Sequence, residues 1–292
     1  MSTLSDYQRG LLLTVLGVLI LCFDTPTFRL AGDIEPWTAV FWRSGLTFVV
    51  PVVILLISPW RAWLHPKQFT RALLLITLCY TFSAIGFINA ITHTSIANTL
   101  FILALMPIFT SLLAWVFLKE APTLSLWLTS AVCLVGISLV VGGISPGVGY
   151  EGELWGLLAA MSMSLSFILG RGRKENLSLA PIFAGGLAAL VGFALADNVT
   201  LQPSQMPYML INGGLIIPIA FALIVAGPRH LPAAQVGLIM LLETALGPVL
   251  VWWWVGESLD RSQLIGGAVI LAALFVYYAM AFRSEQTRPG VA

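Results

Sequence analysis

The sequence predicts an all-α integral membrane protein of ten transmembrane helices arranged as two inverted five-helix repeats. Three observations carry that expectation. Of 292 residues, 59% are hydrophobic and 9% charged, against about 25% charged in soluble domains, and the mean hydropathy is +0.95. Ten apolar runs, each near the roughly 20 residues needed to cross a bilayer as a helix, follow one another with short polar or Gly/Pro breaks. The chain also matches itself without gaps at a shift of 137 residues, His93 falling on His230.

The first run, 10–29, follows Arg9 and holds Asp24 and Pro26. It is too long for a signal peptide and has no small-x-small cleavage site, so it reads as a retained anchor, with the mature chain starting near Met1. The second, 36–57, holds Arg43, and the third, 70–92, holds Tyr80 and Asn89. The fourth, 95–118, holds Asn98 and Pro107, and the fifth is 123–143. Small residues at helical spacing mark the sixth, 152–171 (Ser162, Ser166), and the seventh, 178–197 (Ala184, Ala188, Gly192, Ala196), a pattern that lets helix backbones approach closely in lipid. The eighth is 206–226, the ninth, 231–255, places Glu243 near its middle, and the tenth is 261–283. A β-barrel would show shorter segments of alternating polarity.

Ten spans put both termini on one side. One set of loop ends carries eleven cations: Arg9, Arg61, Lys67, Arg71, Lys119, Arg171, Arg173, Lys174, Arg229, Arg283 and Arg288. The other set carries Arg29 and Arg261, and it collects Asp33, Glu35, Glu151, Glu153, Asp197, Glu257 and Asp260. The excess of Lys and Arg marks the cytoplasmic side, so both termini are expected inside. Trp37, Trp155 and Trp252 to Trp254 lie near outer ends and Trp60, Trp63, Trp115 and Trp127 near inner ones, as interfacial belts do.

The self-match pairs the fourth and fifth spans with the ninth and tenth: Ala97 with Ala234, Leu105 with Leu242, Trp115 with Trp252, Glu120 with Glu257 and Ser125 with Ser262. Five spans per half are an odd number, so the second half enters the membrane from the opposite side. Residues 1–147 and 148–292 are the expected repeats. Two inverted halves around a central site have two tilts of similar energy, one open to each side, which is the physical basis of alternating access.

Ionisable residues within spans cost about 2.5–3.5 kcal/mol on insertion scales and face protein or a water-filled cavity. Asp24 lies six residues before the end of its span and Arg43 seven after the start of the next, both roughly 9–10 Å deep at 1.5 Å per residue. They are expected to pair, either as a fixed brace or as a pair lining the outer vestibule that a charged substrate exchanges with. Glu243 falls near the midplane, where it is either a neutral interhelical hydrogen-bond group or a substrate or proton site; its repeat mate is Met106. Tyr80 and Asn98 complete the candidate binding residues, the alternative for Asn98 being a hydrogen bond between helices. Glu120 and Glu257 read as solvated caps.

The runs Phe41-Trp42-Arg43, Leu105-Met106-Pro107 through Phe117-Leu118-Lys119-Glu120, and Leu242-Glu243 through Gly247-Pro248 to Gly256-Glu257 resemble the drug/metabolite transporter superfamily in its two-repeat EamA-type form. The resemblance covers nearly the whole chain. It implies secondary transport of small polar metabolites, often outward, by permeases of the inner membrane, and it names no substrate.

The partners expected are a small-molecule substrate and the lipid bilayer, with monomer and homodimer both open. Nucleic acid is excluded by a formal net charge of +1. No metal or cofactor is expected: Cys22, Cys79 and Cys133 stand singly, and His65, His93 and His230 have no ligand spacing. An intramembrane enzyme would need a nucleophile–base set or metal ligands, and the sequence shows no HExxH, GxSxG or phosphate-binding glycine loop. A channel or a non-transporting scaffold is the other competing class.

Overall fold

The computed structural model describes residues 5–58, 70–94, 96–141, 150–173, 175–256 and 261–286, with the side chains of 96–98, 140–141 and 282–286 outside that description. Ten apolar helical rods follow one another among the described residues. They are α1 (Asp6–Leu21, continued by Asp24–Leu30), α2 (Pro36–Ile57), α3 (Arg71–His93), α4 (Ile96–Leu103, Met106–Leu113 and a π-helical turn Ala114–Leu118) and α5 (Leu124–Val141). The second set is α6 (Glu151–Gly170), α7 (Leu179–Leu195), α8 (Met206–Ile211, a π-helical turn Asn212–Ile216 and Ile217–Ile224), α9 (Ala233–Val255) and α10 (Arg261–Gln286). Eight rods are long and apolar enough to cross a membrane; α5 and α7 are shorter. Helix α7 stops two residues short of the expected limit because Ala196 turns extended, at ψ 134°, just before Asp197.

Local chemistry sets the ends. Ser5 and Gln8 form a reciprocal capping box that opens α1. Glu35 caps α2, accepting the backbone N–H groups of Trp37 (2.9 Å) and Thr38 (2.6 Å), with Pro36 in the first position, where its missing donor costs nothing. Thr70 caps α3 through the Leu73 N–H.

Prolines set the interior breaks. A proline cannot donate to the carbonyl four residues earlier: Pro26 leaves Cys22, Pro107 leaves Leu103 and Pro218 leaves Gly214 without that bond. At the first two sites the helix stops and restarts, and near the third it widens into the π-helical turn. Pro248 is accommodated within a continuous α9.

The rods pack with apolar side chains facing outward as well as inward: Val116, Phe117, Trp253 and Phe275 are each more than half exposed, as suits a surface solvated by lipid. Small residues bring backbones together. A Cβ added to Gly86 would lie 2.7 Å from the Trp155 carbonyl oxygen where α3 meets α6, and one added to Gly17 would lie 2.8 Å from that of Ala220 where α1 meets α8. Without a hydrophobic force between helices in lipid, such contact supplies much of the association.

Candidate substrate site

The breaks in α1, α4 and α8 face one cavity. Leu21 and Asp24 from the first break, Leu103 and Met106 from the second, and Ile217 from the third line one narrow cavity of about 90 Å³. Irregular backbone at membrane depth is tolerated where it lines a cavity or is buried in protein, so the prolines and the cavity belong to one arrangement.

Two carboxyl groups and one guanidinium reach this space: Asp24, Glu243 and Arg43. The structure brings Asp24 and Arg43 together, with Arg43 Nη2 donating to Asp24 Oδ2 at 2.6 Å and both side chains buried. Asn212 closes a triangle. Its Oδ1 accepts from Arg43 Nε at 3.0 Å, and its Nδ2 donates to Asp24 Oδ1 at 2.7 Å and to the Asp24 carbonyl at 3.0 Å. The Arg43 guanidinium also lies 5.5 Å from the centre of the Phe87 ring, within cation–π range. Asn212 reaches this point because it opens the π-helical turn of α8, and the next residue, Gly213, lies so close to α2 that an added Cβ would fall on the Arg43 carbonyl oxygen. Thr47 then donates to the carbonyls of both Arg43 and Gly213, at 2.9 Å each. Short turns of this kind recur at functional sites.

Glu243 enters the same cavity from the middle of α9 and makes no hydrogen bond or ion pair with any described residue. Tyr80 lines the cavity from α3, its ring edge-on to Phe221 with centroids 5.5 Å apart. Its hydroxyl is buried without a hydrogen-bond partner among the described residues. Ser44, Ser83, Met163 and Met240 fill in the wall. The Asn98 side chain and Glu257 lie outside the described residues.

A second cavity, bounded by Thr25, Phe28, Arg29, Asp33 and Ile34, shares Asp24, Phe87 and Leu100 with the first. The central space thus borders a vestibule at the end of the bundle where α1 finishes and α2 begins. At the opposite end the halves are tied together: Arg171 Nε meets Glu120 at 3.0 Å while its Nη1 donates to the Leu231 carbonyl, and His230 meets Asp6 at 2.8 Å.

A helical bundle with broken rods around a central cavity is the setting in which family membership can be read. The EamA-like transporter family model matches twice, over residues 8–142 and 151–279. The chain belongs to the EamA-like transporter family. An uncharacterized transporter of Bacillus subtilis (strain 168) is 24% identical over 286 residues, covering 93% of this chain and 95% of that protein. An uncharacterized transporter of Methanothermobacter thermautotrophicus is 27% identical over 233 residues, 75% of this chain and 67% of the relative. An S-adenosylmethionine uptake transporter of Rickettsia bellii is 26% identical over 179 residues, 60% of this chain and 61% of the relative. A solved crystal structure aligns at TM-score 0.74 with 15% identity, covering 93% of this chain and 98% of that one, a likeness of fold. This EamA-like protein is accordingly a multi-pass membrane transporter.

Of the residues expected at the site, Asp24, Arg43, Tyr80 and Glu243 line one cavity. Asn212 was not among them. Its signal was present: a lone Asn inside the apolar run 206–226, followed by two glycines. Glu120 differs from the solvated cap expected of it, because the span-end position that exposes it also brings it beside Arg171. Asn89 donates within its own helix to the Ile85 carbonyl at 2.9 Å.

Proposed function

We propose that this EamA-like transporter is a secondary carrier that moves a small polar metabolite or amino-acid-like compound across the cytoplasmic membrane by alternating access. In this reading residues 1–147 and 148–292 are inverted repeats, both termini lie inside, and Glu243, with Tyr80 and the Asp24–Arg43 pair beside it, contacts the cargo or a coupling proton.

One observation carries the reading: the cavity wall repeats. When the 137-residue shift found between the fourth–fifth and ninth–tenth spans is extended to the second and third, Ser44 pairs with Pro181, Thr47 with Ala184, Tyr80 with Ile217 and Ala84 with Phe221, beside Leu103 with Met240 and Met106 with Glu243, and every one of these residues lines the central cavity. Such a wall is expected of a site on the pseudo-symmetry axis between inverted repeats. Contacts outside the cavity support the same reading. Helix α3 packs on α6 as α8 packs on α1. Lys119 and Gly256, also 137 apart, end α4 and α9 with left-handed backbones at φ 57° and 80°. His93 lies 3.8 Å from Glu151, which begins α6, and His230 lies 2.8 Å from Asp6, which begins α1. The mismatch of Met106 with Glu243 gives the wall its chemical asymmetry, as binding one substrate requires.

The relative named for S-adenosylmethionine uptake supports placing that compound in the test panel. Counterflow in proteoliposomes, run against amino acids, nucleosides, sugars, organic cations and S-adenosylmethionine, tests the reading. A carrier shows saturable exchange accelerated by substrate on the far side. Linear, non-saturating flux would identify a channel, and no flux of any solute would leave a scaffold or an enzyme.

A further inference from the structure

The charges around the central cavity are unequally committed. Its described lining holds two carboxyl groups, Asp24 and Glu243, and one guanidinium, Arg43. Arg43 uses Nη2 on Asp24 and Nε on Asn212, and its face lies against Phe87. Asp24 has Oδ2 on Arg43 and Oδ1 on Asn212. The triangle is closed and contributes no net charge, whereas Glu243 makes no hydrogen bond or ion pair with a described residue. The charge left unmatched around the cavity is therefore that of an acid.

An amino acid brings both an ammonium and a carboxylate. Its ammonium can meet Glu243, but its carboxylate would be a third acid beside a single guanidinium already paired with Asp24, leaving the occupied site one negative charge in excess even though Arg43 keeps N–H donors to spare. A cation without a carboxylate meets no such conflict. The rest of the wall suits an apolar body: Tyr80, Phe87 and Phe221 present rings and Met106, Met163 and Met240 present thioethers, soft surfaces that accept both hydrocarbon and cation.

We infer that the central cavity selects a monocationic amine with an apolar or aromatic body over the amino acid that differs from it only by a carboxylate. The inference rests on the carrier reading above and narrows its substrate class.

Phenethylamine and phenylalanine are such a pair. Their binding to the purified full chain in detergent, measured by calorimetry, is compared with counterflow of the wider panel in proteoliposomes. The expected result is at least tenfold tighter binding of phenethylamine, with the preference lost in Glu243→Gln. Equal or tighter binding of phenylalanine overturns the inference, as does a Glu243→Gln protein that folds and keeps the preference. If that variant does not insert, the wild-type pair decides. Saturable counterflow of amino acids, nucleosides or sugars with phenethylamine inert overturns the amine selection and leaves the carrier standing; absence of counterflow for every solute overturns both.

Discussion

Asn212 and Asp24 are separated by 188 positions, yet the Asn212 amide donates to both the side-chain and the backbone oxygen of Asp24. The bond joins the break in α1 to the π-helical turn of α8. It also gives Asp24 a partner besides Arg43, so the buried ion pair is held from two sides.

Breaking this pair from one side should be worse than removing it. An uncompensated buried charge typically costs about 3–5 kcal/mol, whereas loss of both members can be nearly neutral. Arg43→Leu alone should therefore lower the thermal unfolding midpoint in detergent well below that of the double variant Asp24→Leu, Arg43→Leu. Equal damage from the two would refute a stabilising pair.

Asn212→Ala should act on the same network without removing a charge. It deletes three hydrogen bonds, two of them to charged groups, which are worth about 1.5–3 kcal/mol each before relaxation. Combined with the Asp24, Arg43 double leucine variant, the same substitution should cost much less, because its partners are gone. A double-mutant cycle on unfolding checks this, and additive losses would mean that Asn212 works elsewhere.

Much of this was legible from sequence because lipid imposes simple rules. The apolar runs located the rods, since a backbone in hydrocarbon must satisfy its own hydrogen bonds, and matched depths brought Asp24 to Arg43. The π-helical turn was not legible. Pro218 marks where the ladder loses a bond, but the form of the turn is set by tertiary contacts: Gly213 lies against the Arg43 carbonyl and Thr47 takes up the Gly213 carbonyl. Arg171 with Glu120 escaped for the same reason, as their 51-residue separation closes only through packing of α4 on α6.

Glu35 gives a pH dependence outside the spans. Burial acts to raise its carboxyl, but hydrogen bonds from the Thr38 hydroxyl and from the Trp37 and Thr38 backbone outweigh it and hold the group below its usual value. A depressed carboxylate stabilises the fold above its unfolded pKa, and that contribution is lost as pH falls through the folded one. Glu35→Gln should flatten this acid-side loss, while Glu35→Ala should cost about 1 kcal/mol at neutral pH through loss of the cap. Unfolding midpoints from pH 7 to 3 test both; an unchanged acid slope in the Gln variant would show that Glu35 does not contribute to it.

The sidedness expected from the charge bias is open to labelling. Cys22, Cys79 and Cys133 are buried, which favours a low background for an impermeant maleimide. With both termini inside, Gln202→Cys should label in intact cells and Arg173→Cys only after the membrane is opened. The reverse pattern would invert the topology and place the Asp33 vestibule on the cytoplasmic side.

Glu243 carries the sharpest expectation. If it binds the cationic part of the cargo, a proton and the substrate compete for one carboxylate, and the apparent affinity should improve as pH rises. On the acid side the change should approach about tenfold per pH unit, the limit for one linked proton, and level off once the carboxylate is free. Glu243→Gln keeps the shape and much of the hydrogen-bonding capacity but cannot titrate. The variant should insert with a near-normal unfolding midpoint, because the wild-type side chain has no hydrogen-bond or ion-pair partner among the described residues to lose. Its transport should be lost or, where some remains, no longer vary in this way between pH 5 and 8. Uptake by the Gln variant with the wild-type rate and pH profile would reduce Glu243 to a packing residue and move the site elsewhere in the cavity.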